Sequence, residues 1–367
     1  MNVDFSYKFY RTTVDALQGM QEAVLAAQES IYWEIYSLID DEVGTPFIDI
    51  LCQKAKAGLE VKIIVDAIGS FGLSRLSINR LRASGVDLLY YNSLLPNLLL
   101  RGWIRSIWCR NHRKVLVVDR EVVFVGGVNV SNIYSSWDDI HLRITGRVTT
   151  PLLRSFAKSY IRGGGEKNKI KHLLNPRLKK EWQEFKNRCK FILHSPINSK
   201  RSRVKNIFLD ALSNTKESFN LLTPYFVPDK IFFNLVAAAN ERKVKVNLFL
   251  PLFPDYKFLE WVSGFYSKMA HKHGINVYLS TKMNHGKAMT SDKQLGFVSS
   301  VNFTHRSFFN NEEAGILFND FSMINELNLI FDDLRQRGIF LNENNYSHIG
   351  WKGKVKDWFG KQFGGWV

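Results

Sequence analysis

The chain of 367 residues has only three cysteines, Cys52, Cys109 and Cys189, an odd and widely spaced set. No disulfide framework and no zinc-ligand spacing follow from them, which points to a reducing compartment. No run of about 18 apolar residues occurs, so no transmembrane helix is expected. The opening residues, MNVDFSYKFY, lack the apolar core of a signal peptide. Carboxylates at metal-ligand spacing are missing too, so neither a metal nor a cofactor is expected. Acid is in short supply: 34 Asp and Glu face 50 Lys and Arg, a net charge of +16. That excess points to an anionic partner, either nucleic acid or an acidic membrane surface. Apolar residues make up 45% and charged residues 23%, which suits a packed globular protein and not a disordered one. The length suggests roughly two domains.

The positive charge is local. Residues 162–205 carry a net +11, residues 101–114 a net +5 and the last 17 residues a net +3, leaving −3 for the rest of the chain. The folded bulk is therefore near neutral.

Two halves share one plan. A helical pattern from Val14 to Ala27 precedes a strand-like run, Ile31–Tyr36. A second helix, Pro46–Ala57, stops at Gly58, and Val61–Val65 reads as a buried strand. The second half repeats this order: helix Ile207–Leu212, strand Phe219–Leu222, helix Asp229–Asn240 and strand Val244–Leu250. Alternating strands and helices predict an α/β sandwich, here duplicated. Gly163–Gly165 and the basic stretch after it mark a linker.

Each half carries His-x-Lys-x4-Asp: His112, Lys114 and Asp119 in the first, His285, Lys287 and Asp292 in the second. Each is followed by a short apolar strand and then an Asn, Asn129 or Asn302. Val115–Val118 predicts a strand, and residues two apart on a strand share a face, so His112 and Lys114 project together, as do His285 and Lys287. A hairpin partner, Val122–Val125, returns Asn129 to the same end. Pairing the halves would gather two His, two Lys and two Asn around one pocket. Such a set suits transfer at a phosphodiester. One imidazole attacks phosphorus, the other exchanges a proton with the alcohols, and the Lys and Asn donors hold the non-bridging oxygens.

The paired motif resembles the HKD signature of the phospholipase D superfamily, over about residues 10–335. Within it the chain is most similar to bacterial cardiolipin synthases. The resemblance rests on Ser30–Glu34, Val65–Ser70, Asn111–Lys114 with Gly126–Asn129, and Trp137–Arg143. In the second half it rests on Thr223-Pro-Tyr-Phe-Val-Pro228, Arg306–Phe308 and Asn311–Glu313. It implies two phospholipase D-like α-β-α sandwich domains of mixed sheets with pseudo-two-fold symmetry. The expected divisions are 1–161, a basic linker at 162–205, a second domain at 206–335 and an amphipathic tail at 336–367. It also implies transfer through a phosphatidyl-histidine, with His112 the nucleophile and His285 the general acid/base, an assignment that can be reversed. Asp119 and Asp292 would orient the motifs, and Asp139 and Glu313 would stand behind the histidines. The chain departs from the family at Ser299, where Gly is usual, and at Thr304-His305, where Asp-Pro is usual. His172, His194, His271, His273 and His348 are expected at the surface.

The aromatic residues favour a membrane over nucleic acid as the anionic partner. In the tail, Trp351, Trp358, Phe359, Phe363 and Trp366 fall in one arc at about 100° per residue, with Lys354, Lys356 and Lys361 outside it and Lys352 inside, as in an interfacial helix. Leu99, Trp103, Ile104 and Trp108, interleaved with Arg101 and Arg105, lie just before His112. The expectation is a peripheral enzyme on the cytoplasmic face of a bacterial inner membrane, similar to family members without N-terminal spans. It would join phospholipids, with phosphatidylglycerol as donor and acceptor, and bind no nucleic acid. The alternatives are a phospholipase D that uses water and a nuclease of the same superfamily. Oligomeric state is open.

Overall fold

The computed structural model describes residues 5–92, 109–146, 149–174, 185–196, 202–255 and 257–342. Both groups of expected membrane-binding residues lie outside these: Leu99, Trp103, Ile104 and Trp108 before His112, and Trp351, Trp358, Phe359, Phe363 and Trp366 in the tail. His348 lies outside them too. The chain divides into two compact units, one of Met1–Ser195 with Asn311–Ile316, the other of Pro196–Asn310 with Leu317–Val367.

The first unit is built on a seven-stranded mixed sheet. Its strands are β1 (Ser6–Thr12), β2 (Ser30–Ile35), β3 (Glu60–Asp66), β4 (Asp87–Tyr91), β5 (Val115–Val118), β6 (Val122–Gly126) and β7 (Asp138–Thr145), in the order β1-β7-β6-β5-β2-β3-β4. β2, β3 and β4 run parallel, and β5 pairs antiparallel with β2. Every residue of β2 is buried, because helices cover both faces of the sheet. Ile31, Trp33 and Ile35 join the core under α1 (Thr13–Ala26) and α2 (Gly44–Lys56). Tyr32 faces the other way, its ring 5.5 Å from Phe156 on a later helix, α4 (Thr150–Arg162). Helix starts follow side-chain caps: Thr12 accepts from the Asp15 N–H for α1, and Ser74 from the Ser77 N–H for α3 (Arg75–Ala83). β8 (Cys189–His194) completes this stretch of chain.

In the second unit α5 (Arg203–Asn214) precedes β9 (Ser218–Leu222), then α6 (Lys230–Glu241), β10 (Lys245–Pro251), α7 (Lys257–Lys272) and β11 (Asn276–Ser280). A hairpin of β12 (Ala288–Ser291) and β13 (Leu295–Ser299) follows, then α8 (His305–Phe309), α9 (Phe321–Arg337) and β15 (Ile339–Phe340); β14 (Glu313–Phe318), between α8 and α9 in the chain, belongs to the first unit as far as Ile316. The unit's strand order β13-β12-β9-β10-β11 repeats β6-β5-β2-β3-β4 of the first, with the same parallel and antiparallel pairings. The duplication read from the sequence is thus a duplication of topology. Phe208, Phe226, Phe232 and Phe303 pack one face of this sheet, and Phe331 of α9 packs on Phe249 from the other.

Three details differ from expectation. The strand of the first motif begins at Val115, so His112 and Lys114 lie in the extended segment before it. Gly163–Gly165 cap α4, with Gly164 at φ 93, and the chain beyond them packs into the first unit through Ile170 and Leu173. His194 is buried rather than at the surface, because β8 is covered and its carbonyl accepts from Arg113 at 2.8 Å.

The motif aspartates lie in the tight turns after β5 and β12, with left-handed backbones at φ 50 (Asp119) and 52 (Asp292). Asp119 accepts from the N–H groups of Gln28, Glu29 and Ser30 at 2.8–2.9 Å, holding the start of β2. Asp292 accepts in the same way from Lys216, Glu217 and Ser218 at 2.8–2.9 Å, at the start of β9. Replacing either by Ala leaves three donors without their acceptor. Asp119→Ala and Asp292→Ala should each lower unfolding free energy by about 2–4 kcal/mol in urea titrations, and the Asn variants by less.

Candidate active site

The segment Arg110–Lys114 is fixed by buried charge before it reaches β5. Arg110 Nε and Nη2 donate to Asp66 Oδ1 at 3.0 and 2.6 Å, and both side chains are shut off from solvent. Asp66 Oδ2 accepts the Asn111 N–H at 3.0 Å, and Asn111 Nδ2 donates to Glu34 at 2.8 Å. Arg113 donates to Ser155, Ser159 and the carbonyls of His194 and Glu313 at 2.8–3.2 Å. It also pairs with Glu312 at 3.3 Å and Glu34 at 3.4 Å. Burial opposes the Arg113 charge, but Glu312 and Glu34 outweigh it and hold the guanidinium above its ordinary value. Burial pushes the Glu34 carboxyl up, and Arg113 reverses only part of that rise. Glu312 sits below the usual carboxylate range: burial works to raise it, and Arg113 and Arg162 more than compensate.

His112 stands between these clamps. Residues 311–313 lie along its segment: His112 N–H donates to the Glu312 carbonyl at 2.9 Å, and Glu312 N–H to the Arg110 carbonyl at 2.8 Å. That register brings the Glu313 carboxylate to 3.1–3.2 Å from His112 Nδ1. A carboxylate there assigns the proton to Nδ1 and leaves Nε2 basic. Tyr36 sets its ring edge-on to the imidazole at 5.1 Å. Lys114 Nζ lies 5.0 Å over the same ring and donates to the His112 carbonyl at 2.9 Å. The β5–β6 hairpin pairs Val115 with Val125, returning Asn129 to this end, and its buried Oδ1 has no hydrogen-bond partner among the described residues. Asp139 is buried beside Gly127, where a Cβ would come within 2.3 Å of its Oδ1, so only glycine fits there.

The second unit repeats the local devices. Asn284 Oδ1 accepts from Gly286 N–H at 2.9 Å, as Asn111 Oδ1 does from Arg113 N–H at 3.3 Å. Lys287 Nζ donates to the His285 carbonyl. The β12–β13 hairpin pairs Ala288 with Val298 and returns Asn302, whose buried Oδ1 likewise has no partner among the described residues. Thr304 caps α8, its hydroxyl accepting from Ser307 N–H.

Each unit thus gathers its His, Lys and Asn at one end of a hairpin and sets its Asp at the other. His112, Lys114, Asn129, Asp139 and Glu313 gather in the first unit. Sequence reasoning did not single out Tyr36, Glu34, Asp66, Arg110, Arg113 or Glu312 as site residues. The available signal was a charge inside an apolar strand, Glu34, and another closing one, Asp66. Among the described residues no cluster of His, Cys, Asp or Glu could hold a metal ion, and no helix is long and apolar enough to cross a membrane.

A family model described as "Cardiolipin synthase, PLD-like domain" matches residues 20–154 and 208–335. A cardiolipin synthase of Clostridium perfringens (strain SM101 / Type A) is 29% identical over 311 residues, 82% of this chain. The match spans 64% of that relative's own length. A probable cardiolipin synthase, YwiE, of Bacillus subtilis (strain 168) is 27% identical over 100% of this chain and 73% of its own. Among solved structures, a phosphatidylserine synthase of Haemophilus influenzae Rd KW20 shares the fold, with a TM-score of 0.70 at 14% identity over 99% of this chain and 95% of its own.

One buried base near the site carries a pH signature. His141 lies under Gly126, where a Cβ would sit 2.6 Å from its Nδ1. Burial, reinforced by the Lys114 charge and only partly opposed by Asp139, pushes its pKa down to about 4. It stays neutral when folded and takes a proton near its ordinary value when unfolded. Protons therefore favour the unfolded chain as pH falls from about 6.5 to 4. His141→Gln should flatten the stability–pH curve across that window by about 3 kcal/mol relative to wild type, read from urea midpoints at successive pH values.

Proposed function

The chain belongs to the family of phospholipase D-like cardiolipin synthase domains, a two-domain α/β enzyme of the phospholipase D superfamily, and on that premise we propose that it moves a phosphatidyl group between phospholipids. Phosphatidylglycerol serves as donor and acceptor, and the product is cardiolipin. The observation that carries this reading is the Glu313 carboxylate at His112 Nδ1, 3.1 Å away. A carboxylate in that place makes Nε2 a nucleophile and stabilises the imidazolium formed when it attacks.

In the first step His112 Nε2 bonds to phosphorus, the bond from phosphorus to the glycerol headgroup oxygen breaks, and His285 gives that oxygen its proton. In the second, a hydroxyl of another phosphatidylglycerol attacks, its proton goes to His285, and the phosphorus–nitrogen bond breaks. Lys114, Lys287, Asn129 and Asn302 hold the non-bridging oxygens as charge builds. Asp139 and Glu313 stand behind the histidines as supporting carboxylates, and Asp119 and Asp292 keep each motif in register from the far end of its strand. The enzyme works as a peripheral protein at the cytoplasmic face of the inner membrane. The basic stretch 162–205 and the aromatic tail 336–367 assist its hold on anionic lipid.

The test follows products from labelled phosphatidylglycerol. His112→Ala and His285→Ala should each cut cardiolipin formation by roughly three orders of magnitude or more with the fold intact by circular dichroism. Retained synthesis in either variant overturns the mechanism. Phosphatidic acid as the main wild-type product assigns water as the acceptor and overturns the transferase reading.

A further inference from the structure

The second unit holds an open cleft at the Asp292 end of its hairpin, away from His285. Its volume is about 550 Å³, a size suited to a small ligand. One face of the sheet forms its floor. Asn220, Asn247 and Asn276 stand in register there across β9, β10 and β11, and Asn328, Asp332 and Arg335 of α9 form a wall.

The floor is a connected polar surface. Asn276 Nδ2 donates to Asn247 Oδ1 at 3.0 Å, Asn247 Nδ2 to Asn220 Oδ1 at 2.9 Å, and Asn220 Nδ2 to Thr290 Oγ1 at 3.0 Å. Thr290 donates on to Asn328 Oδ1 at 2.7 Å. Asn220 and Asn247 are only 5% and 4% exposed. All these bonds run one way, so the row opens on an acceptor: Asn276 Oδ1 takes no hydrogen bond among the described residues. Each amide also carries a second N–H beyond the one given to its neighbour. Donors and acceptors therefore stand in a row one strand spacing apart, about 4.8 Å. That spacing is close to the separation of the end oxygens of an extended three-carbon polyol.

Charge and ring contacts narrow the occupant. Lys245 and Lys293 line the cleft, are exposed, and make no hydrogen bond or ion pair among the described residues. Of the lining acids, Asp292 is spent on three N–H groups and Asp332 is paired with Arg335. Only Glu217 is left, so the uncommitted charge is two lysines against one glutamate, a net +1. Carboxylates already committed in this way do not suit a divalent cation. Tyr278 is the aromatic lining residue, and its ring is engaged by Phe249 at 5.1 Å, Phe340 at 5.4 Å and Arg335 at 5.9 Å rather than bare for a nucleobase.

The first unit shows that the fold does not require this opening. There Lys62 donates to Asp87 at 3.0 Å, and Tyr160 of α4 donates to the same carboxylate at 2.6 Å. His172, beyond α4, lies 3.1 Å from Glu60. That floor is neutralised and covered by the chain's own residues. The second unit puts amides in place of the charges and leaves two cations uncommitted at the edge.

We propose that the cleft binds the phosphate ester of a small polyol, with its hydroxyls on the asparagine row and its phosphate between Lys245 and Lys293. The chemistry is the same for a soluble ester and for a phospholipid headgroup.

Calorimetric titration of the full-length chain tests this with sn-glycerol 3-phosphate, inorganic phosphate and dihexanoyl phosphatidylglycerol below its micellar concentration. Wild type should bind glycerol 3-phosphate at least roughly tenfold more tightly than inorganic phosphate. Lys245→Gln/Lys293→Gln should weaken both anions at least roughly tenfold, and Asn276→Leu should weaken glycerol 3-phosphate alone. Both lysines are exposed, so the double variant keeps the fold and decides the location by itself. Tighter binding of the lipid than of glycerol 3-phosphate, lost in the double variant, assigns the headgroup as the ligand; tighter binding of glycerol 3-phosphate assigns the soluble ester. Wild type that binds no glycerol 3-phosphate overturns the proposal. So does binding that the double variant leaves unchanged, which places the ester elsewhere in the molecule. Equal affinity for inorganic phosphate removes the polyol and overturns it as well.

Discussion

His112 owes its position to ions that have been taken out of water. Arg110 and Asp66 pair in a dry site, and Arg113 spans Glu34 and Glu312 in another, one on each side of the histidine. Burying such groups costs several kcal/mol per ion, and mutual attraction recovers it only when the remaining hydrogen-bonding capacity is filled. Here it is filled: Asp66 accepts from Arg110 and from the N–H groups of Ile68, Gly69 and Asn111. An apolar core of similar volume would serve stability as well, but it would not fix the rotation of an extended strand. Directional bonds to residues on both sides of His112 do, and they leave its imidazole one orientation in which Nδ1 meets Glu313.

The duplication supplies an internal control on which features the chemistry needs. Both units keep the Lys-to-carbonyl bond, the Asn turn before the motif and the three N–H groups gathered by the motif Asp. They differ where packing differs. Gly286 stands at the place of Arg113, so the ionic clamp belongs to the first half alone. Gly126 is imposed by the His141 ring, and the second half aligns Gly315 with His141, so that demand is not repeated at Ser299. The row Tyr32–Lys62–Asp87 across β2, β3 and β4 becomes Asn220–Asn247–Asn276 across β9, β10 and β11. The ion pair of the first row gives way to a chain of hydrogen bonds between side-chain amides, Asn276 to Asn247 to Asn220, at 2.9–3.0 Å beside a cleft of about 550 Å³.

Much of this was legible in the sequence because apolar periodicity and strand alternation are local. The helices at 14–27 and 46–57 and the strands at 31–36 and 61–65 fall within two residues of the observed elements. The repeated motif could be read because its residues are close along the chain. Arg113 and Glu312 could not be joined by the same reasoning, since nearly 200 residues separate them. Nothing in the spacing of Glu312-Glu313 says that one carboxylate turns to an arginine and its neighbour to a histidine. The alternation of a strand does say it, once Asn111 is known to bridge Glu312. His194 was misjudged for a related reason: a lone histidine in a basic stretch reads as surface until the helix that covers its strand is known.

The spacing of the motif has a mechanical origin that follows from the Asp contacts. Four residues of strand span about 13 Å, so Lys and Asp stand at opposite ends of one short strand. The Lys end lies next to His112, and the Asp end grips the start of the neighbouring antiparallel strand, β2, through three N–H groups. Since β2 lies beside β5 in register, that grip sets how far β5 slides along it, and a slip of one residue would turn His112 to the opposite face of the sheet. The Asp therefore acts on the imidazole through strand register rather than through contact. This explains how a carboxylate at the far end of the strand belongs to the same motif as the histidine.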